Sequence, residues 1–61
     1  MDRINVYFKT GKVKYIRNVI DFKQTMDDLD GQVFVIHSRD DNDVPVTSKF
    51  ITANIEAVVM G

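Results

Sequence analysis

Basic and aromatic side chains lie close together near the N-terminus of this sequence and form its clearest pattern for binding. They are Tyr7, Lys9, Lys12, Lys14, Tyr15 and Arg17. Proteins that bind single-stranded nucleic acid combine cations, which attract the phosphates, with exposed aromatic rings on which bases stack. The pattern therefore predicts a surface for single-stranded nucleic acid. The alternative is that these cations only keep an exposed hairpin soluble and unpaired, and the net charge of −1 favours that alternative.

Six aspartates form two clusters that could bind a hard cation. They are Asp27, Asp28 and Asp30 in one cluster and Asp40, Asp41 and Asp43 in the other. Calcium loops supply oxygen ligands at fixed spacing around a glycine turn. When the first cluster is aligned on Gly31, Met26 takes the opening ligand position and His37 the closing one. The second cluster has no such glycine, so we interpret both as solvated acidic loops and expect no metal site.

His37 is the only histidine, and an imidazole titrates near neutral pH. A catalytic histidine needs a nucleophile or a substrate pocket beside it, and the sequence indicates neither. The isolated glycines Gly11, Gly31 and Gly61 do not form a phosphate-binding loop. A chain of 61 residues also has little volume for both a core and a deep pocket. We therefore expect no enzymatic activity, no catalytic residue and no cofactor.

The composition predicts one small folded domain that spans residues 1–61. Hydrophobic residues make up 44% of the chain, which is ordinary for a globular protein. Cysteine is absent, so no disulfide or thiolate chemistry is available. A domain this small without disulfides or metal often gains stability by association, and we expect a homodimer. No segment has the length of a membrane span or a signal peptide, so we expect a cytoplasmic protein that does not bind membranes.

The charges are distributed unevenly along the chain. Most of the lysines and arginines precede residue 25, and most of the carboxylates follow it. The sequence thus predicts a basic end and an acidic end. Either end could be a solvated surface or a surface that recognises a protein partner.

The basic and aromatic residues must be positioned by a β-hairpin. Residues 4–8 alternate apolar and polar side chains, which is typical of a strand with one buried face. Thr10 and Gly11 predict a turn, because glycine adopts positive φ without a steric clash. The second arm, residues 13–22, changes its apolar phase near the middle, which predicts a bend or a β-bulge. Asn18 is the predicted corner, since asparagine tolerates the left-handed region.

Residues 22–30 are compatible with two structures. Asp21 and Gln24 have the spacing of a helix capping box, and Phe22, Met26 and Leu29 would share one helical face. The aspartates that follow would crowd the C-terminal end of such a helix, where negative charge is unfavourable. A short helix and an irregular acidic loop both remain open.

The second half of the chain predicts three more strands. Residues 33–36 are four consecutive large apolar residues, which indicates a central strand covered on both faces. Residues 46–51 follow Pro45 as a further strand, and a tight turn at residues 52–54 leads to a last strand at residues 55–60. That strand is predicted to be an open edge that pairs with a second copy. Its self-association residues are Ile55, Ala57, Val58, Val59 and Met60.

The apolar phases of these strands also predict which side chains form the core. They are Ile4, Val6, Phe8, Val13, Ile20, Phe22, Val33, Val35, Phe50, Ile55 and Val59.

The two arms of the hairpin, the strand at 33–36 and the strand–turn–strand segment at 50–58 together resemble SH3-like and Sm-like small β-barrels. The resemblance implies an all-β fold, a five-stranded antiparallel barrel or a strongly curled sheet. The helix that precedes the first Sm strand has no counterpart here, and the RNA-binding Asp and Asn of that family cannot be matched. No binding residue is therefore carried over. The chain is also similar in style to short β proteins of phages and mobile elements of Gram-positive bacteria.

These observations predict a small non-catalytic protein-binding or assembly module that self-associates through its last strand. Its protein partner would be recognised by sheet-edge pairing or by one of the charged ends. The alternative is a single-stranded nucleic-acid binder that uses the basic first hairpin.

Overall fold

The structure, a computed structural model, describes residues 2–61, and that part of the chain folds into six β-strands. They are β1 (Arg3–Phe8), β2 (Val13–Arg17), β3 (Val19–Asp27), β4 (Gly31–Arg39), β5 (Pro45–Ile51) and β6 (Ile55–Met60). A 3₁₀ turn, Thr52–Asn54, joins β5 to β6, as the sequence predicted for residues 52–54. The all-β antiparallel prediction is confirmed, whereas the predicted count of five strands is wrong.

The strands form two three-stranded antiparallel sheets. The first sheet has the order β2-β1-β6, and the second has the order β3-β4-β5. The sequence predicted a barrel or one strongly curled sheet. The strands instead form two separate sheets without a closed barrel, because no strand ladder joins the sheets in residues 2–61. The sheets are connected near Asn18, where the Val19 N–H donates to Asp2 O at 3.2 Å and the Arg39 N–H donates to Asn18 O at 3.1 Å.

The first hairpin has the predicted turn. Gly11 has φ of 94°, and its N–H donates to Phe8 O at 2.9 Å. The predicted long second arm is divided at Asn18, whose φ of 55° confirms the predicted corner. This corner directs β2 into the first sheet and β3 into the second. The division accounts for six strands where the sequence pattern indicated five.

Residues 22–30 form neither of the two structures that the sequence left open, a short helix or an irregular acidic loop, because β3 runs through this segment to Asp27 and ends in a turn. Phe22 lies in β3, and its ring centroid is 5.6 Å from that of Phe34 in β4. The Asp27 carboxylate accepts the Leu29 N–H at 2.8 Å and the Asp30 N–H at 3.3 Å, which closes the turn. Pairing with β4 satisfies the backbone of a whole strand, whereas an isolated helix this short is only marginally stable.

The core lies between the two sheets. Its buried cluster consists of Ile4, Val6, Ile16, Val19, Phe34 and Ile36, with Phe8, Phe22, Phe50, Ile55 and Val58 packed around it. Six residues of the predicted core belong to this cluster or pack against it: Ile4, Val6, Phe8, Phe22, Phe50 and Ile55. Val33 and Val35, also predicted, are buried on the opposite face of β4. Val13 is half-buried. The predicted core list omitted Ile16, Val19 and Val58. It also omitted Phe34 and Ile36, although both belong to the run predicted to be covered on both faces.

Two predicted core residues, Ile20 and Val59, are exposed instead. The register of β3 against β4 shifts between Val19 and Asp21, which leaves Ile20 on a bulge and 54% exposed. A second shift, between Tyr7 and Phe8, occurs where β1 pairs with β6. Each shift moves the inward-facing phase by one residue. In β6 the inward residues are consequently Ile55 and Val58, and Val59 faces outward.

β4 is the middle strand of the second sheet, and all four residues of its apolar run are buried. Phe34 and Ile36 face the first sheet as part of the core cluster. Val33 and Val35 alternate with them and lie on the outward face. The prediction that residues 33–36 form a central strand covered on both faces is confirmed.

Candidate functional site

The backbone hydrogen bonds of β1 determine which groups are free at the two edges of the first sheet. Arg3 and Gly61 exchange two bonds, of 3.2 and 2.9 Å, while the Phe8 N–H donates to Lys12 O at 2.9 Å. Backbone bonding alternates along an antiparallel strand. Even-numbered residues of β1 therefore bond to β2, and odd-numbered residues bond to β6. The partners of these odd-numbered residues in β6 are Ala57 and Val59. Val58 and Met60, which alternate with them, therefore direct their backbone groups toward the open side of β6.

The edge formed by β6 is largely apolar. Val59 and Met60 are each 48% exposed, and Ala57 is exposed beside them. Val58 and Ile55 are half-buried and pack on the core. The five residues predicted for self-association thus divide between the two faces of this strand. Glu56 is its one charged side chain.

The other three edge strands carry features that discourage pairing with a second copy of this chain. Lys14 and Arg17 lie in β2, and β3 contains both acidic and basic residues. Pro45, which has no N–H, begins β5, and Lys49 follows in the same strand. Charged residues and proline are the usual protection of sheet edges. β6 is consequently the least protected edge in the described part of the chain.

The outward face of the first sheet combines tyrosines with arginines. Directly opposed residues of paired strands lie on the same face. The register places Tyr15 opposite Asn5, Arg17 opposite Arg3, and Val13 opposite Tyr7. We call this surface the tyrosine face; its members are Arg3, Asn5, Tyr7, Val13, Tyr15, Arg17, Ala57 and Val59. Tyr15 is 65% exposed, so its ring is accessible for stacking.

The structure brings together only part of the predicted nucleic-acid surface. Tyr7, Tyr15 and Arg17 share the tyrosine face, and Lys9 and Lys12 lie in the turn between β1 and β2. The sixth residue, Lys14, is opposite Val6, whose side chain faces the core, so it belongs to the other side of the sheet.

The sequence pattern missed Arg3 as a member of the tyrosine face. The signal that could have identified it is its alternation with Asn5 and Tyr7, which places all three on the polar side of β1.

The basic residues of the first sheet form no ion pair within 4.0 Å in residues 2–61. Carboxylates lie farther away: Glu56 lines a depression with Lys12, and Asp2 lines another with Arg3. All ion pairs within 4.0 Å in this part involve the second sheet or its loops. They are Arg39–Asp43 at 3.7 Å, Lys49–Asp27 at 2.9 Å and Lys49–Asp30 at 3.4 Å. In the same sheet, His37 Nδ1 lies 3.6 Å from Asp21 Oδ1. The cations of β1, β2 and the turn between them are therefore available to an anionic partner.

One carboxylate in each acidic cluster, Asp27 or Asp40, accepts backbone N–H groups of its own turn. The Asp40 carboxylate accepts the N–H groups of Asn42 and Val44, each at 2.9 Å. A hydrogen bond from Lys49, followed by bonds from backbone N–H groups, lowers the pKa of Asp27 to about 2. Among residues 2–61, no three acidic or histidine side chains come together as a metal site would require.

Comparison of the chain with family models, curated proteins and solved structures gives no match. Within residues 2–61, no helix is long and apolar enough to cross a membrane. The geometry of the sheet edges and faces is thus the basis on which a function can be proposed.

Proposed function

We propose that this protein is a non-catalytic assembly module that self-associates by pairing β6 with β6 of a second copy. The observation that supports this proposal is the exposure of Val59 and Met60 on an edge strand with a single charge. The free backbone groups of Val58 and Met60 would form the ladder between the copies. The product is one six-stranded sheet that is continuous across the dimer.

The energy of this contact predicts a weak dimer. Complete burial of a valine or methionine side chain contributes about 1.5–3 kcal/mol. Two half-exposed side chains from each copy therefore supply on the order of 4 kcal/mol, and each new backbone hydrogen bond adds about 1 kcal/mol. Association costs about 4–15 kcal/mol in lost freedom of motion. Dimerisation should consequently depend visibly on protein concentration.

Sedimentation velocity over a wide concentration range tests self-association. We expect Val59→Lys to remain folded and monomeric where the unmodified protein dimerises, because the substitution places two like charges beside the shared edge. Leu29→Lys is the matched control, since Leu29 is also apolar and exposed but lies in the turn after β3. Val58→Lys is unsuitable, because Val58 packs on the core and its charge would unfold the domain.

An unmodified protein that stays monomeric at every concentration would contradict the proposal. The same conclusion follows if Val59→Lys and Leu29→Lys dimerise to the same extent as the unmodified chain.

A second candidate function is the binding of single-stranded nucleic acid by the tyrosine face. The observation that favours it is the presence of Tyr7 and Tyr15 on one face with Arg3 and Arg17, without a carboxylate within 4.0 Å of either arginine in the described residues. Stacking of a base on an aromatic side chain contributes about 1–3 kcal/mol. Two rings and two cations therefore suffice for a weak site that prefers no particular sequence.

An amide NMR titration with a short mixed-sequence DNA strand, at low and moderate salt, tests this candidate. We expect shifts on β1 and β2 that decrease with salt, because binding releases counterions. Tyr15→Ala should weaken binding by roughly 5- to 100-fold if the ring stacks on a base. Lys23→Ala, which removes an exposed cation from the second sheet, is the control. The candidate is excluded if no amide shifts at low salt.

We also propose that the fold is related to the SH3-like and Sm-like small barrels. Two features support the relation: the 3₁₀ turn Thr52–Asn54 before the last strand, and the origin of β2 and β3 in one arm bent at Asn18. An experimental structure tests the proposal by comparison of strand order and of the bend at Asn18.

A further inference from the structure

A groove runs along the free edge of β2, between the two sheets. One part is a depression of about 320 Å³ lined by residues 14–18 on one side and by Ser38, Val46 and Ser48 of the second sheet on the other. A second depression, of about 490 Å³, continues past Lys14 toward Phe8 and Asn54. The groove is thus open where a closed barrel would have a strand ladder.

The wall formed by β2 offers unpaired backbone groups. Lys12 bonds to Phe8 of β1, so alternation assigns Lys14 and Ile16 to the same ladder. The N–H and C=O groups of Val13, Tyr15 and Arg17 therefore point away from β1 and toward the groove. An extended chain could pair with them as an additional strand, which is a common mode of peptide recognition.

The charge of the groove specifies the partner. Lys12 and Lys14 line it, and Arg17 lies at the same edge. No carboxylate lies within 4.0 Å of these three cations in residues 2–61. Asp40 and Asp41 line the first depression together with Arg39, and the second depression has no carboxylate in its lining. The Asp40 carboxylate accepts backbone N–H groups of its own turn.

We propose that this groove binds an extended acidic segment of another protein, which adds to β2 as a strand. Alternate side chains of that segment would lie beside Lys12 and Lys14, and acidic residues fit those positions. The side chains between them would lie beside Tyr15 and Val13 on the tyrosine face. A peptide is favoured over nucleic acid because the groove presents a ladder of backbone donors and acceptors, which only another polypeptide strand matches. The proposal goes beyond self-association and uses the opposite edge of the same sheet.

The test is an amide NMR titration with a capped seven-residue peptide in which glutamate alternates with valine and threonine. We expect shifts concentrated on β2 and on the groove residues of β5. Lys14→Glu should weaken binding roughly tenfold, because it replaces an attraction by a repulsion. Lys12→Glu provides a second variant with the same expected direction, and Lys23→Glu is the control with an equal change in net charge.

Two further peptides separate strand addition from simple charge attraction. A peptide with glutamine in place of glutamate should bind more weakly, and one with proline at alternate positions should lose the ladder and its affinity. Equal binding of the proline peptide would overturn the proposal, as would shifts that avoid β2. Displacement of the peptide by a DNA strand that itself binds more tightly would assign the groove to nucleic acid instead. Sedimentation of Val59→Lys measures self-association independently. A negative result of the peptide titration therefore does not affect the test of self-association.

Discussion

The Lys49 Nζ lies 2.9 Å from the Asp27 Oδ2, although the two residues are in opposite edge strands of the second sheet. Lys49 is opposite Val35, and Asp27 is opposite Gly31, so the lysine side chain crosses β4 in the row of Val33. Long lysine side chains commonly cover apolar surface with their methylene groups. This placement puts the methylene groups of Lys49 over the outward face of β4, where Val33 and Val35 are only 1% and 8% exposed.

The first prediction separates the covering role of Lys49 from its charge. Lys49→Met retains an apolar chain of similar length, whereas Lys49→Ala exposes Val33. We therefore expect Lys49→Ala to lower the urea midpoint of unfolding more than Lys49→Met does. Equal midpoints for the two variants would show that the ion pair, and not the covering chain, provides the stabilisation.

The second prediction concerns acid stability. The pKa of Asp27 falls from 3.8 to about 2 in the folded protein, first because of Lys49 and then because of the Leu29 and Asp30 N–H groups. A lowered folded-state pKa stabilises the fold fully above pH 3.8, and this contribution is lost as the pH falls through about 2. Asp27→Asn should therefore be less stable than the unmodified chain at neutral pH and should approach it near pH 2.

Urea unfolding at several pH values between neutral and the lowered pKa measures this convergence. Asp28→Asn is the matched control, because Asp28 makes no side-chain hydrogen bond or ion pair in the described residues. A constant difference between Asp27→Asn and the unmodified chain at all pH values would contradict the assignment.

The third prediction concerns the corner between the sheets. Asn18 has φ of 55°, a conformation that costs most residues other than glycine and asparagine roughly 1–2 kcal/mol. Asn18→Gly should leave the free energy of unfolding nearly unchanged, and Asn18→Ala should lower it by about 1 kcal/mol. Asn42→Ala is the control, since Asn42 is a loop asparagine that does not itself have positive φ, although its neighbour Asp43 does. Equal effects of the two alanine substitutions would argue against strain at the corner.

The fourth prediction concerns the core. Ile36 is completely buried, and replacement of such a residue by alanine costs about 2–5 kcal/mol. A domain of this size has a total stability of about 3–5 kcal/mol, so Ile36→Ala should be largely unfolded at room temperature. Ile36→Val should cost only about 0.5–1.5 kcal/mol. Circular dichroism and amide NMR spectra distinguish these outcomes.

Ile20→Ala provides the matched comparison, because Ile20 has the same side chain on an exposed bulge. We expect its effect to stay within about 0.5 kcal/mol. A large loss of stability in this variant would show that Ile20 is buried in solution, as its sequence pattern suggested.

The order of the apolar residues by itself determined much of the fold. Alternation in residues 4–8, the glycine turn at Gly11, the corner at Asn18 and the central strand at 33–36 were all readable from the sequence. Each of these features depends on the conformational preference of one residue or on the side-chain period of one strand. Such preferences act locally, so they can be recognised without knowledge of the neighbouring strands.

The tertiary structure alone decided what depends on two strands at once. Pairing with β4 makes residues 22–27 a strand in spite of their helical pattern. The register shifts beside Tyr7 and Val19 place Val59 and Ile20 on the outward side. Pairing likewise placed Arg3 with Arg17 on the tyrosine face and left Lys14 along the groove. A shift of one residue reverses the face of every side chain beyond it. The phase change in residues 13–22 predicted a bend or a bulge in that segment. The position of each shift depends on hydrogen bonds to a distant strand, so the pattern of a single strand does not locate it.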